Sequence, residues 1–438
     1  MGMIRFNIAS ILLLLNIVPL FAVYRAVNAW VGSKSRRRVV LTCVGLAVLV
    51  LNIPISFFWG RVLDDYLFNS LPPSTLRAMF CPSLAWYTTG LLCTLILGPA
   101  YIIWAAGRGA RRFAGRTRPN AEADSQPGAG VISRRSLFAG SAGLLVPVTY
   151  GASACQLFDS FDHVDISPEL AIPMPHLPRS LEGLTIVQLT DLHVGPYIRR
   201  KELEYWVSLV NQLRPDLVVL TGDLIDRSLD DLPDAVEGLR GLRSSFGVLA
   251  VLGNHDLSSD RHSFRGELMG GETIAQGLET IGIRTLRNQV TYLGPGEDRL
   301  AVLGLDWVSK PGSRNFYQYR PQETRFQLSR MSEQLPPETP AVLLVHHPDT
   351  FTEVPSFRIG LTLAGHTHGG GQVVFFTRDG VPVGLFSSRF KYPGGLFQED
   401  GCSLYVNRGL GYLGVPVRVN CPPEISRFRL LTGRSPRS

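Results

Sequence analysis

The chain has 438 residues and a formal net charge of +7, with 43 Lys and Arg against 36 Asp and Glu. This length exceeds what one hydrophobic core normally uses, and it suits a membrane part followed by a globular part of roughly 270 residues. The positive charge does not indicate nucleic-acid binding, because much of the arginine lies in short loops between apolar segments. Such loops are suited to contact with anionic lipid headgroups.

Three long, almost uncharged segments occupy the first third of the chain, at residues 8–23, 39–59 and 84–106. Each approaches the length that a helix needs to cross a bilayer, so residues 1–110 are predicted to form transmembrane helices. A fourth apolar segment, 137–154, is shorter and rich in small residues.

The charges of the connecting loops predict an orientation. Basic residues lie between the first and second segments and between the third and fourth, at Lys34, Arg36, Arg37, Arg38, Arg108, Arg111, Arg112, Arg116, Arg118, Arg134 and Arg135. Because basic loops stay in the cytoplasm, the part of the chain that follows the fourth segment is predicted to face outward.

Residues 111–136 are basic and contain a polar, Gly- and Pro-rich stretch, which predicts a flexible cytoplasmic linker. The run Ser133-Arg134-Arg135-Ser136 at its end is similar to a twin-arginine export signal, a route that carries folded proteins. Small residues precede Cys155 and offer a cleavage site. Residues 137–155 are therefore predicted to be either a fourth membrane helix or a twin-arginine-like signal anchor.

Five short apolar runs in the second half of the chain each end in potential metal ligands. The runs, at 185–189, 217–220, 248–252, 341–345 and 361–363, are typical of buried strands. The seven candidate ligands beyond their ends are Asp191, His193, Asp223, Asn254, His346, His366 and His368. Open α/β sheets bind ligands at the carboxyl ends of their strands, so the pattern predicts one shared rim. Carboxylate and imidazole donors suit Mn, Fe or Zn.

The segments between these runs alternate between strand and helix. Residues 201–213 have apolar side chains at helical spacing, which predicts a helix with one face on the sheet. Beyond residue 365 the pattern predicts antiparallel strands at 372–377, 403–407 and 425–430. Periodicity alone therefore predicts an α/β fold.

The five ligand clusters together resemble the calcineurin-like metallophosphoesterases. They occur in that family's order, as Asp191-Leu192-His193, Gly222-Asp223, Gly253-Asn254-His255-Asp256, His346-His347-Pro348 and Gly365-His366-Thr367-His368. The resemblance covers roughly residues 184–430 and is nearest to the membrane-associated bacterial branch with the Gly-His-Thr-His-Gly-Gly signature. It implies a four-layer α/β sandwich over residues 180–432, with two facing mixed sheets flanked by helices.

The resemblance also implies a dinuclear centre with two divalent ions. The first ion would bind Asp191, His193 and His368, the second would bind Asn254, His346 and His366, and Asp223 would bridge them. His255 matches the family's catalytic histidine, and Asp256 could orient its ring. An extra glycine precedes Gln372 and departs from the family pattern, so no role follows for that glutamine.

These residue types predict direct hydrolysis by water. Two cations about 3.5–4 Å apart lower the pKa of a water and neutralise phosphate oxygens, and a protonated His255 could donate to the leaving oxygen. The predicted function is a dinuclear phosphoesterase in a multi-pass protein of the bacterial inner membrane, acting outside the cytoplasm on lipid or cell-envelope phosphoesters. The alternatives are a cytoplasm-facing hydrolase of UDP-linked acyl sugars and a catalytically inactive membrane sensor or assembly protein.

Four residues near the clusters have weaker assignments. His347 is predicted to support the site or the fold without binding metal, and Asp306 could lie on the rim or in a strand-end turn. Asp216 and Asp226 are predicted to be helix or turn residues.

Four further side chains leave alternatives open. Cys402 and Cys421 could form a disulfide outside the cytoplasm or remain buried thiols. Arg389 and Arg408 could clamp a second phosphate or a headgroup near the metals, or be ordinary surface or turn residues.

Overall fold

A computed structural model describes residues 14–60, 73–114, 134–159, 163–226, 228–258, 270–307, 319–414, 416 and 418–433. The chain divides into two compact units. The first covers residues 1–70 and 74–159, and the second covers 71–73 and 160–438.

The first unit is helical. Its helices are α1 (Ile17–Trp30), α2 (Lys34–Gly60), α3 (Pro73–Ala114) and α4 (Arg134–Asp159). Two of them are long and apolar enough to cross a membrane, over Lys34–Pro54 and Ser74–Gly107, and Ile17–Trp30 is a shorter apolar helix. Length and composition are the basis of this finding, and they indicate membrane association.

The helices differ in extent from the predicted segments. Part of the segment 8–23 and most of the linker 111–136 lie outside the described residues. Helix α3 begins at Pro73, so residues 73–83 are helical where the charge pattern predicted a loop before residue 84. The predicted segment 137–154 lies within α4, which continues without a break from Arg134 to Asp159.

Close packing of small residues joins α1 to α4. A Cβ atom on Gly140 would overlap the Trp30 ring, and one on Gly143 would overlap the Cβ of Ala26. Small residues that allow such close approach are common between membrane helices. All four helices contribute to one buried cluster, formed by Ala22, Val48, Trp86, Cys93, Leu97, Ala142 and Val146.

The second unit is an α/β fold. Its strands are β1 (Asp165–Ile166), β2 (Leu170–Met174), β3 (Thr185–Leu189), β4 (Leu217–Thr221), β5 (Val248–Val251), β6 (Ile283–Thr285), β7 (Gln289–Leu293), β8 (Leu300–Leu305), β9 (Ala341–Val345), β10 (Leu361–Ala364), β11 (Val374–Arg378), β12 (Val381–Gly384), β13 (Gly395–Glu399), β14 (Cys402–Val406) and β15 (Glu424–Thr432). Its helices are α5 (Arg200–Leu213), α6 (Leu232–Leu239), α7 (Asn254–Ser258), α8 (Gly270–Glu279), α9 (Pro321–Ser332) and the helical turn α10 (His368–Gly371). Short 3-10 turns occur at Arg179–Leu181, Leu229–Asp231, Pro348–Thr352, Val354–Ser356 and Ser387–Arg389.

These strands form two large sheets and a hairpin. The first sheet has the order β1-β15-β3-β4-β5-β6 with β2 also on β15, the second has the order β13-β14-β10-β9-β8-β7, and β11 pairs with β12. Strands β3 to β6 are parallel, whereas β15 is antiparallel to β3. Both sheets are mixed. The late strands were predicted to be antiparallel, which is confirmed for β11 with β12, β13 with β14 and β15 with β3. The other pairings differ, because β14 is parallel to β10, and β15 is parallel to β1 and β2.

Alternate residues of the central strands enter different cores. Ile186 of β3 and Val342 of β9 belong to a cluster built from both sheets. The neighbouring Leu343 of β9 belongs to a second cluster that also contains Leu328 of α9. Strands that are buried on both faces have continuous apolar sequences, which is why these runs were recognisable. Helix α5 buries Leu203, Trp206, Val207 and Val210 at the predicted spacing.

Two features of this unit were not evident in the sequence pattern. Strands β1 and β2 precede residue 180 and pair with β15, although they are short and β2 contains Pro173. Short strands with proline are typical of sheet edges and give weak patterns.

Cys402 and Cys421 are both buried and free, which corresponds to the alternative of buried thiols and not to a disulfide.

Candidate metal centre

The loops after β3, β4, β9 and β10 bring predicted ligands together. Nε2 of His368 lies 3.1 Å from Nε2 of His193 and 3.3 Å from Oδ1 of Asp191. Oδ2 of Asp223 lies 3.1 Å from Nε2 of His346 and 3.7 Å from Nε2 of His193. A single carboxylate oxygen of Asp223 thus lies between two groups of donors.

Among the described residues, three sets of three donor atoms each lie within 4.8 Å of one another and could hold an ion, and two of these sets consist entirely of predicted ligands. These two sets are Asp191, His193 and His368, and Asp223, His346 and His366. Asn254 begins α7 after β5, and its buried Oδ1 has no hydrogen-bond partner within the described residues. A buried oxygen without a partner calls for a ligand, and a divalent cation satisfies that need at a site with this donor chemistry.

The backbone is strained at most of these positions. Five of the seven candidate ligands have positive φ angles, namely Asp191 (50°), His193 (45°), Asp223 (53°), His366 (72°) and His368 (49°). Each such angle costs a non-glycine residue about 1–2 kcal/mol, and strain of this kind concentrates at functional sites.

Motif glycines allow other loops to approach the carboxylates. A Cβ on Gly253 would overlap Oδ1 of Asp223, and a Cβ on Gly409 would lie 2.7 Å from Cβ of Asp191. A Cβ on Gly365 would overlap Oδ2 of Asp191. Real Cβ contacts under 3.0 Å essentially do not occur, so these positions require glycine.

Hydrogen bonds orient the ligands towards the centre. Nδ1 of His346 donates to the Thr221 carbonyl over 2.7 Å, which directs Nε2 towards Asp223. The Asp191 carboxylate accepts the His366 amide at 3.1 and 3.0 Å and the Thr190 hydroxyl at 2.9 Å. Such outer contacts fix the tautomer and rotamer of metal ligands.

The candidate catalytic residue His255 lies at the edge of this group and is half-buried. Its backbone amide donates to Oδ1 of Asp223 over 2.9 Å, and its ring meets the His193 ring edge-on at 4.7 Å. Its Nδ1 lies 2.6 Å from the Asp226 carbonyl and 3.5 Å from Oδ1 of Asp226.

Asp226 therefore contacts the His255 ring in the position that the sequence assigned to Asp256. The Asp256 carboxylate accepts the backbone amides of Leu224, Ile225 and Gly253 at 2.8, 3.1 and 2.9 Å. It holds the loops after β4 and β5 together. Asp226 also lies 3.5 Å from Nδ1 of His193, and these three residues form a third group of possible donors.

Burial and the carboxylates set the charges of the site. Burial alone would lower the pKa of His346, but Asp223 and Asp191 raise it to about 9. Burial opposes ionisation of Asp223, yet His346 and His255 hold its pKa well below the usual range. Burial, followed by neighbouring cations, lowers the pKa of His366 and of His368 well below the ordinary value. Neutral imidazoles and ionised carboxylates are the forms that bind metal, so His366 and His368 are in the binding form, whereas an ion that binds His346 must displace its proton.

His347 and Asp306 lie outside the donor groups found among the described residues. Burial and His346 lower the pKa of His347 to about 3, and its Nδ1 accepts the Asp349 amide over 3.2 Å. The Asp306 carboxylate accepts Nε of Arg287 over 2.8 Å in a turn after β8.

The arginines that were possible phosphate clamps have other surroundings. Arg408 pairs with Glu424 at 2.6 Å and with Asp165 at 3.2 Å. Arg389 is exposed, and its guanidinium lies 4.6 Å from the Phe386 ring.

Sequence reasoning missed three residues beside the ligands. Asp226 follows Asp223 by three residues in the loop after β4 and was predicted to be only a helix or turn residue. The Trp307 ring lies 5.0 Å from His366 and 5.8 Å from His346. Buried Arg418 places Nη2 3.3 Å from Nδ1 of His368, and no local pattern marks it.

Comparisons with known proteins identify several that are similar to this chain. A family model described as calcineurin-like phosphoesterase matches residues 184–370. An uncharacterized metallophosphoesterase of Bacillus subtilis, YkuE, is 30% identical over 314 residues, which are 68% of this chain and 98% of that protein. A Danio rerio transmembrane protein with metallophosphoesterase domain is 30% identical over 271 residues, 60% of this chain and 56% of that protein. The crystal structure of a Danio rerio dimetal phosphatase aligns at 15% identity with a TM-score of 0.33, over 52% of this chain and 88% of that chain.

Proposed function

The chain belongs to the calcineurin-like metallophosphoesterase family, and we propose that it hydrolyses lipid or cell-envelope phosphoesters at a dinuclear metal centre beside a membrane. Metal-dependent phosphoester hydrolysis follows from membership, since the family uses two divalent ions and the chain has donor clusters for them. The observation that carries the proposal is the Asp223 carboxylate, which lies between His193 and His346.

The proposed ligand set is the one that the family's motifs imply, and two observed donor groups support it. Asp191, His193 and His368 would hold one ion, Asn254, His346 and His366 would hold the other, and Asp223 would serve both. When bound, two Mn, Fe or Zn ions would lower the pKa of a water and neutralise phosphate oxygens.

The protein's own residues would position the metal ligands and transfer the proton. Five of the seven proposed donors lie at strained backbone positions, and Asp223 keeps its charge despite burial. The Nδ1 of His255 donates to the Asp226 carbonyl, so we assign its Nε2 to proton transfer at the leaving oxygen.

The proposed architecture combines this site with a membrane anchor. It comprises transmembrane helices over 1–110, a cytoplasmic linker over 111–136, a fourth helix or signal anchor over 137–155, and a four-layer sandwich over 180–432. Two apolar helices and a relative named as a transmembrane protein support the anchor. Core residues shared by both sheets support the layers. Protease access to the second unit from outside intact cells tests the orientation, and protection from protease would favour the cytoplasm-facing alternative.

A soluble aryl phosphodiester with added Mn tests the chemistry. Asp223→Ala is expected to lose bound metal and more than 100-fold in turnover. His255→Ala is expected to keep its metal and lose about 100-fold or more, since general acid catalysis contributes about 10²–10⁴-fold. Asp298→Ala, which alters an exposed carboxylate, is the control. Full activity in both site variants would refute the assignment.

A further inference from the structure

The hairpin of β11 and β12 exposes an unusual amount of apolar surface. Its strands pair only with each other within the described sheets, and a bulge interrupts their register between Val374 and Phe376. Two consecutive rings at this bulge are exposed to solvent, Phe375 at 55% and Phe376 at 58%.

Neighbouring side chains extend this surface. Leu385 is 53% exposed, and Phe386 and Leu413 are exposed as well. The Gln372 side chain hydrogen-bonds the Leu413 carbonyl and amide at 3.0 and 2.9 Å, which places Leu413 beside the base of the hairpin. We call Phe375, Phe376, Leu385, Phe386 and Leu413 the hairpin patch. Contiguous apolar patches on soluble domains usually mark interaction sites.

The loop that carries His366 and His368 is linked to the hairpin patch. Gly369 to Gly371 connect His368 directly to the hairpin, and the Phe386 amide donates to the Gly370 carbonyl over 2.8 Å. The Phe390 ring, beyond the second strand, meets the His366 ring edge-on at 5.6 Å. A partner on the hairpin patch would therefore lie beside the ligand loop.

Cations flank the apolar residues. The side chain of Arg378 is 84% exposed, and Arg389 and Lys391 are also exposed. Arg378 lies 4.0 Å from Asp379 and Lys391 lies 3.8 Å from Glu399, so the three cations exceed the two neighbouring carboxylates by one positive charge. Exposed phenylalanine and leucine beside basic side chains are what an anionic lipid interface binds, through apolar insertion and attraction to headgroups.

We propose that the hairpin patch docks on an anionic bilayer surface, so that a lipid phosphoester reaches the metal centre from the membrane. The substrate part rests on the proposed function, whereas the docking does not. A bilayer fits better than a second copy of the chain, because cations rim the apolar residues and the same chain carries helices of membrane-spanning length. A domain tethered in this way meets lipid at high effective concentration.

Hydrogen–deuterium exchange of the full chain tests the docking. The chain would be placed in nanodiscs of phosphatidylcholine alone or with phosphatidylglycerol, and in detergent. We expect exchange in peptides covering 373–390 to slow at least threefold with phosphatidylglycerol. The double variant Phe375→Ser with Phe376→Ser is expected to lose this protection. Phe326→Ser, at a 59% exposed ring on α9, is the matched control and is expected to keep it.

Turnover provides a second measurement. The double variant is expected to hydrolyse a vesicle-presented phosphoester about tenfold more slowly, with hydrolysis of a soluble aryl phosphodiester within twofold of the parent chain. Equal loss on both substrates would overturn the substrate part of the proposal.

Two exchange results would overturn the docking itself. One is equal exchange in detergent and in both lipids, and the other is protection that grows with protein concentration but not with lipid charge, which would indicate a second copy. Exchange measured on Asp223→Ala separates the two proposals. This variant is expected to show lipid-dependent protection although it lacks activity. If the unsubstituted chain also hydrolyses no phosphoester while the lipid-dependent protection is present, the proposed function is refuted and the docking is not.

Discussion

Replacing Gly253 by alanine is predicted to disable the metal centre by moving one carboxylate. The added Cβ would overlap Oδ1 of Asp223 and lie 2.6 Å from its backbone nitrogen and 2.8 Å from its Cγ. Non-bonded heavy atoms are comfortable at about 3.5–4.0 Å, so the carboxylate or its strand must shift by roughly 1 Å. The Asp223 side chain is only 3% exposed, so it has little space in which to move.

A shift of this size has a large catalytic effect. A displacement of about 1 Å in a catalytic geometry lowers rates about 100-fold, equivalent to about 2.7 kcal/mol of transition-state stabilisation. We expect kcat/KM for a soluble aryl phosphodiester with Mn to fall by this factor, and elemental analysis to find less than two ions per chain. Gly241→Ala is the control, because its Cβ would meet only a Val207 methyl at 3.2 Å. Two bound ions and an unchanged kcat/KM in Gly253→Ala would show that the close approach does not position Asp223.

Three further substitutions probe the surroundings of the site. Asp226→Asn is expected to lower kcat 10–100-fold with the fold intact, because the carboxylate lies 3.5 Å from Nδ1 of His255. An unchanged kcat would exclude a positioning role for the carboxylate and leave only the backbone carbonyl of Asp226 in that role. Burial raises the pKa of Asp231 to about 6. As pH rises, the Asp231 carboxyl ionises at a lower pH in the unfolded chain than in the folded chain. The free energy of unfolding therefore falls between about pH 4 and pH 6, by up to about 3 kcal/mol. The thermal midpoint of Asp231→Asn, relative to the parent chain, is therefore expected to rise over that range, in contrast to exposed Asp230→Asn. Arg418→Met is expected to lower the free energy of unfolding by about 1–3 kcal/mol for each carbonyl that loses its hydrogen-bond donor. The measurement is the thermal midpoint of unfolding, and an unchanged midpoint would contradict the prediction.

The strands and the grouping of the candidate ligands were predictable because their signals are local. Each apolar run and the ligand behind it occupy a few consecutive residues, and parallel strands bring their carboxyl ends to one edge. The structure brings six of the predicted ligands into two donor groups, and Asn254 begins the helix next to them. These predictions needed no knowledge of distant contacts.

The remaining contacts depend on the paths of the loops in the folded protein, which the local sequence does not indicate. Asp256 lies one residue from His255, yet its carboxylate caps amides of another loop while Asp226 meets the ring. Arg418 reaches His368 across a long stretch of sequence, and no periodicity reports such a pair. The exposed hairpin was predicted only as a strand after residue 372, because exposure is a property of the folded surface.

The position of β15 has a consequence for how the protein is made. This strand, at Glu424–Thr432, lies between β3 and the early strands β1 and β2, so the first sheet is incomplete until the ribosome has synthesised nearly the whole domain. Pairing across such a sequence distance is slow and leaves unpaired edges exposed in the meantime. The loop that carries Asp191 begins at the end of β3, so its final shape is reached only after translation of the last strand. Nascent chains released before that strand should therefore fail to capture metal and should be substrates for chaperones and proteases.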